Sequence, residues 1–321
     1  MITGIVCILP TNPATDCVDT TEGRSVDYQQ LRQAVSKAVW QKDHTTFRAL
    51  IDDALLATYG EDHGAVLVLE ATWFLVVDAK NAARGFVLVD EALPLVRKNP
   101  ATLLDCLITA LGLCHLTGDS ERARTYEEEA YSFLLTFGSD PEVRAKGHRL
   151  QLGLGQIAYL RGDYASAYWH LVQAANGIAN PSVSDAERRG FESLIQMNVA
   201  MACLRTRRFY ECQEALDLAD KSNTFEPQRL RLAILHAELL RQLGETAQAA
   251  DLLSSIATAV EVCKSPGVQA RYHWIASLVA YDSGDLPGFH RKIAVAMEMA
   301  ASHQQDFLLN EIQRFQGSTQ R

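Results

Sequence analysis

The stretch LGLGQIAYLRGDYASAYWHLVQAA, residues 152–175, decides the architecture. Apolar residues recur every three or four positions on both sides of Arg161-Gly162-Asp163, a pattern that predicts two helices joined by a tight turn. Gly155 lies seven residues before Gly162, and Ala167, Leu171 and Ala174 lie five, nine and twelve after it. Small residues at those places predict a helical hairpin whose halves approach closely at Gly155 and Ala167.

The same template recurs outward in both directions. Turns are expected at Lys42-Asp43, Lys80-Asn81, Gly118-Asp119, Gly162-Asp163, Arg207-Arg208, Gly244-Glu245 and Gly284-Asp285. Five residues on come Phe47, Gly85, Ala123, Ala167, Cys212, Ala249 and Phe289; twelve on come Ala54, Ala92, Ala130, Ala174, Ala219, Ile256 and Ala296. A column with Ala in six of seven places is a packing constraint rather than chance, and its period of roughly 37 to 45 residues is that of helical solenoids. Asn99-Pro100, Asp140-Pro141 and Ser265-Pro266 each place proline just after a capping residue, where a helix starts. Pro181 and Pro227 mark further joins, and Pro287 falls in a first helical turn.

The pattern predicts longer helices over 141–160 and 185–205. From 302 to 316, Phe307, Leu308, Ile312 and Phe315 form a one-sided apolar stripe, suited to a terminal helix that covers the open end of a repeat array. Residues 64–77 are the most strand-like, but Glu70, Ala71, Thr72 and Trp73 interrupt any alternation. The expected organisation is a loosely packed tail over 1–26, a helical repeat domain over 27–301, and a capping helix with a short tail over 302–321. The fold class is all-α.

These residues resemble the tetratricopeptide repeat, most fully at Leu154, Gly155, Gly162, Asp163, Tyr164, Ala167, Leu171 and Ala174. Gly118, Asp119, Ala123 and Ala130 match partly, as do Ala237, Leu240, Gly244, Ala249 and Leu253. The likeness runs from about Asp27 to Ala300, with a period longer than the family's usual value of about 34. In that respect it is similar to the looser repeats in sensory domains of bacterial transcription regulators and peptide-pheromone receptors. The resemblance implies a right-handed superhelical solenoid of about seven hairpins.

Composition narrows the partners. A net charge of −9 argues against nucleic acid or an anionic membrane surface. Seven cysteines without paired spacing suggest a reducing, cytoplasmic setting. Residues 1–10 are apolar but lack a basic flank and are too short to span a bilayer, so a cleaved signal is not expected. No later run of about 18 apolar residues is apparent, which predicts a soluble chain.

Several chemical motifs dissolve on inspection. Gly153, Gly155 and Ala158 satisfy a dinucleotide-binding spacing, but a polar helical segment precedes them instead of a strand. Cys106 and Cys114 stand two helical turns apart, and His115 projects about 100° from Cys114, so a metal site is not expected and the cysteines read as small core residues. Glu61-Asp62-His63-Gly64 carries acid–base side chains on an expected connector, where Asp62 serves as a helix cap. No catalytic motif is present, and neither an enzymatic activity nor a cofactor is expected.

The resemblance also implies a concave wall built from the first helix of each hairpin. In the last four hairpins it would carry Arg149, Gln156, Tyr159, Asn198, Met201, Arg205, Arg231, Glu238, Arg241, Arg271, Trp274 and Tyr281. Arginines clamp carboxylates, and aromatic rings supply contact area at low entropic cost. The earlier hairpins offer Leu67, Phe74, Val77, Gly112 and His115, an apolar wall suited to burial. Of the Lys/Asn clamp of chaperone-binding members only Asn198 matches. The expected function is a non-enzymatic scaffold that binds a protein or extended peptide, acidic in character. The alternative is a ligand- or peptide-sensing regulatory module. Homo-oligomerisation is left open, since either end of an array or its convex side can pair.

Overall fold

A computed structural model describes residues 28–41, 43–181, 183, 185–222, 226–263, 265–303 and 305–319. The expected tail over 1–26 lies outside them. The described residues are all-helical, with fifteen α-helices that pack in adjacent pairs.

The seven expected turns all fall between helices. They separate α1 (Tyr28–Gln41) from α2 (His44–Ala57), α3 (Gly60–Val76) from α4 (Ala82–Val96), and α5 (Pro100–Thr117) from α6 (Ser120–Phe137). Then come α7 (Pro141–Leu160) and α8 (Tyr164–Ile178), α9 (Asp185–Thr206) and α10 (Phe209–Ser222), and α11 (Glu226–Gln242) and α12 (Thr246–Val262). The last turn joins α13 (Pro266–Asp282) to α14 (Leu286–Ser302), and α15 (Asp306–Thr319) follows.

Two residues suffice for three of these turns and three residues for another three, because the turn residues both end one helix and start the next. Gly118, at φ 72°, takes the left-handed conformation that closes α5, and its N–H bonds the Cys114 carbonyl. Asp119 then caps α6 by accepting from the Arg122 N–H at 3.0 Å. Asp163 and Asp285 repeat the cap after Gly162 and Gly284, both also left-handed. Arg207 stands where the pattern wants glycine, and it is left-handed at φ 57°. Asn99 caps α5 ahead of Pro100 through the Thr102 N–H at 3.0 Å. Pro94 lies inside α4, close to its end.

The small-residue columns are core. Ala54, Ala92, Ala130, Ala174, Ala219 and Ala296 are buried, whereas Ile256, the exception to the alanines, is half-buried. Gly155 and Ala167 are both buried. Tight crossings occur at other glycines as well. A Cβ on Gly64 would stand 2.7 Å from Val96 Cγ1 and 2.8 Å from Leu95 Cβ, and one on Gly112 would stand 2.8 Å from Leu75 Cδ2.

Two readings need correction. The interrupted alternation over 64–77 is not one of them: residues 60–76 are one helix, buried nearly all round along 64–75. Asp62 does not cap it: Tyr59 holds the cap position, and Glu61 and Asp62 sit in the first turn, with Glu61 accepting from Asn99 Nδ2 at 2.7 Å. The chain does hold a run long and apolar enough to cross a membrane: α5, of 18 residues with mean hydropathy 1.4, is 61% buried in the protein. Thr102, Asp105 and Thr109 had disguised it, and Asp105 pairs with Arg32 at 3.2 Å.

The described residues divide into two compact units. The N-terminal unit runs to residue 161 and includes 169–191; the C-terminal unit takes 162–168 and 192 onward. In the N-terminal unit α1, α3, α5 and α7 contact one another in series, with α2, α4 and α6 packed against them. Its polar links include Arg48 to the buried Glu70 at 2.5 Å and Arg161 to Glu127. In the C-terminal unit α11 packs on α12 and α13, α13 on α14, and α14 on α15.

Candidate functional site

Nine of the twelve residues expected on the concave wall lie in the C-terminal unit, on α9, α11 and α13. Four of them, Arg205, Arg271, Trp274 and Tyr281, do not face an empty groove, because α15 lies against them. Leu308 and Ile312 of α15 are buried, and Phe315 meets the edges of Trp274 and Tyr281, each with ring centroids 5.5 Å apart.

The centre of the site is Glu311. Its carboxylate accepts from Arg205 of α9 at 2.6 Å, from Arg271 of α13 at 2.8 Å and from the Trp274 indole N–H at 2.9 Å. Arg271 also donates to Glu238 of α11 at 2.9 Å, and Arg205 stands 3.5 Å from the same carboxylate. Two guanidiniums and two carboxylates thus alternate across four helices. Burial disfavours the charge on Glu311, but Arg271, Arg205 and the hydrogen bonds from Trp274 and Arg271 outweigh it and hold the carboxyl down at about 2. Glu238 is almost wholly buried, so its two arginines also neutralise a charge that could not stand alone there.

A pocket of about 90 Å³ remains between α15 and the wall. Met197 and Met201 of α9 and Ile234 and Leu235 of α11 make it apolar, while Arg231 and Arg271 bring cations to it. Gly267, Gln305 and Leu308 complete it. Burial pushes the Arg231 guanidinium down to about 10. At the other end of the wall Arg241 donates to Asp282 at 2.8 Å. Tyr281 remains 38% exposed beside Phe289 and Phe315. Asn198 is half-buried and donates back along its own helix to the Leu194 carbonyl at 2.8 Å.

The other three expected wall residues sit in the N-terminal unit, and all are buried. Arg149 stacks over the Phe191 ring at 5.0 Å, and Gln156 and Tyr159 are enclosed along α7. Of the apolar set, Leu67, Phe74 and Gly112 are buried, and Val77 and His115 half-buried.

The motifs set aside in the sequence occupy helices. Gly153, Gly155 and Ala158 lie within α7. Cys106, Cys114, Cys203 and Cys212 are fully buried, and desolvation pushes each thiol up to about 12. Among the described residues no group of three His, Cys, Asp or Glu side chains is placed to hold a metal ion.

Sequence reasoning missed Glu311, Met197, Gln305 and Leu308 as parts of this site. The available signal was Glu311 itself, a lone carboxylate set between Leu308, Ile312 and Phe315 on an apolar stripe. The arrangement can clamp a carboxylate carried on a helix, between two arginines and an indole. No family model matches the chain, and no curated protein matches it in sequence.

Proposed function

We propose that the chain is a tetratricopeptide-like repeat protein that catalyses nothing and binds a protein segment along the wall formed by α9, α11 and α13. Seven short inter-helix turns, the buried alanine column and the serial contacts of α1, α3, α5 and α7 support the repeat. One observation carries the binding reading: arginines from two different repeats and the Trp274 indole converge on a single carboxylate presented by a helix lying on the wall. Bidentate-capable guanidiniums around one acid suit recognition of an acidic segment.

The test places a photoreactive benzoylphenylalanine at position 281, at the exposed edge of the wall, in cells that express the protein. One dominant adduct is expected. Arg205→Lys with Arg271→Lys, which keeps the charge but loses the fork, should cut the adduct about tenfold. An adduct indifferent to that double change ends the reading.

The pocket beside Arg231 and Arg271 favours a second reading, a regulatory module that senses a small ligand with an acidic head and an apolar body. A rise in melting temperature with a short-chain carboxylic acid, and no protein adduct at position 281, would select it.

A further inference from the structure

The wall already has an occupant, and the occupant fits incompletely. Leu308 and Ile312 are the buried residues among the described side chains of α15, and beside Leu308 a pocket of about 90 Å³ stays unfilled. That is several times the roughly 10–15 Å³ a single water requires. Met197 and Met201 line it, and their flexible, polarizable side chains accommodate varied shapes. A 14-residue helix is marginal by itself in water, so α15 holds its shape through docking. When α15 leaves, Arg205 and Arg271 keep their contacts with Glu238 but lose the Glu311 carboxylate, and the centre of the wall becomes more positive.

We propose that α15 is a displaceable stand-in on this wall, and that the wall's protein partner is an amphipathic helix of the same chemistry. That helix carries a carboxylate where α15 has Glu311, an apolar residue three positions before it and an aromatic one four positions after it. Where α15 carries Leu308, the partner carries a bulkier apolar side chain that fills the pocket. The proposal rests on reading the wall as a protein-binding face and adds its partner's form and its regulation. Displacement is competitive: the partner wins by filling the pocket, and α15 returns when the partner leaves.

The probe is a fluorescein-labelled peptide with the sequence of residues 305–319, added to the full-length protein. Leu308→Asp with Ile312→Asp releases α15 within the chain. The released variant is expected to bind the peptide at least about tenfold more tightly than the unaltered protein does. A peptide carrying Leu308→Phe is expected to bind the variant at least about threefold more tightly still, and a shuffled peptide about tenfold more weakly. Equal binding by both proteins, or by neither, overturns displacement. Equal binding of the shuffled peptide assigns the wall to extended acidic chains instead. A released variant that dimerises assigns it to a second copy.

Amide hydrogen exchange on the unaltered protein settles the same point without a substitution. The α15 amides are expected to exchange at least about tenfold faster than those of α13. If α15 exchanges only when α13 does, it is a fixed part of the fold and the proposal falls, whether or not the double variant folds. A fixed α15 with an arginine-dependent adduct at position 281 would leave the binding wall standing and remove only the stand-in. A mobile α15 without any adduct would do the reverse.

Discussion

Arg207 is the place where one residue opposes its own backbone. It fills the left-handed position that glycine fills at residues 118, 162, 244 and 284, and a side chain there costs roughly 1–2 kcal/mol. Arg207→Gly should therefore stabilise the protein by about 1 kcal/mol, read as a raised urea midpoint with an unchanged slope. Gly64 poses the opposite balance. Alanine there gains roughly 0.5–1 kcal/mol of helix propensity, but its Cβ would press on Val96 Cγ1 and Leu95 Cβ, and overpacking costs about 1–3 kcal/mol. Gly64→Ala should be destabilising on balance, since Leu95 Cβ sits close to its backbone and cannot swing away. Unchanged or higher stability would mean that α3 and α4 separate more easily than this crossing indicates.

For the helices, the sequence was legible wherever a boundary is enforced chemically. Pro141 and Leu160 bound α7 as read, and Asp185 opens α9 as read, because proline, capping residues and left-handed glycines act locally. The face a helix turns inward was legible only where polar residues mark the other side. α3 and α5 have no such side, so neither shows a one-sided stripe, and Asp105 hid the apolar length of α5. The wall residues were found through position in the repeat, yet α15 was read apart from them. Nothing local ties Glu311 to Arg205, 106 residues away. That link has a measurable weight. Glu311→Ala takes a carboxylate from Arg205 and Arg271, which keep their contacts with Glu238, and unpairing a buried ion costs about 3–5 kcal/mol. Roughly a sixth of each of these three side chains stays exposed, so about 2–3 kcal/mol is expected. The loss should appear as faster exchange confined to α15, with α13 and α14 protected as before. Docking of α15 should also survive acid to about pH 4.5, where free glutamates protonate, and fail as pH falls toward the depressed Glu311 value of about 2.

At the scale of the molecule, a second pH dependence lies nearer neutrality. His236 and His273 are both held below the ordinary value of 6.5, chiefly by burial; Lys292 adds to the effect at His273. Asp217 and Asp220 oppose it at His236, and Glu261 at His273. Both are therefore neutral when folded at a pH where the unfolded chain already takes up protons. Stability should fall as pH drops through about 6.5 and level off below the folded values. Urea midpoints between about pH 8 and pH 5 measure the decline, and His236→Gln with His273→Gln should flatten it. A decline of the same size in that double variant would assign the protons to other groups.

The buried thiols make the molecule a recorder of its own opening. A thiol held at about 12 rather than 9.0 keeps roughly a thousandth of the usual thiolate, and enclosure withholds the rest from any alkylating reagent. Cys106 and Cys114 belong to the N-terminal unit and Cys203 and Cys212 to the C-terminal one, whereas Cys263 is only half-buried. A pulse of iodoacetamide, read peptide by peptide, should mark Cys263 before the other four described cysteines. It should reach each buried pair only when the core around it comes apart, so the order in which the pairs are tagged along a denaturant series dates the loss of each unit.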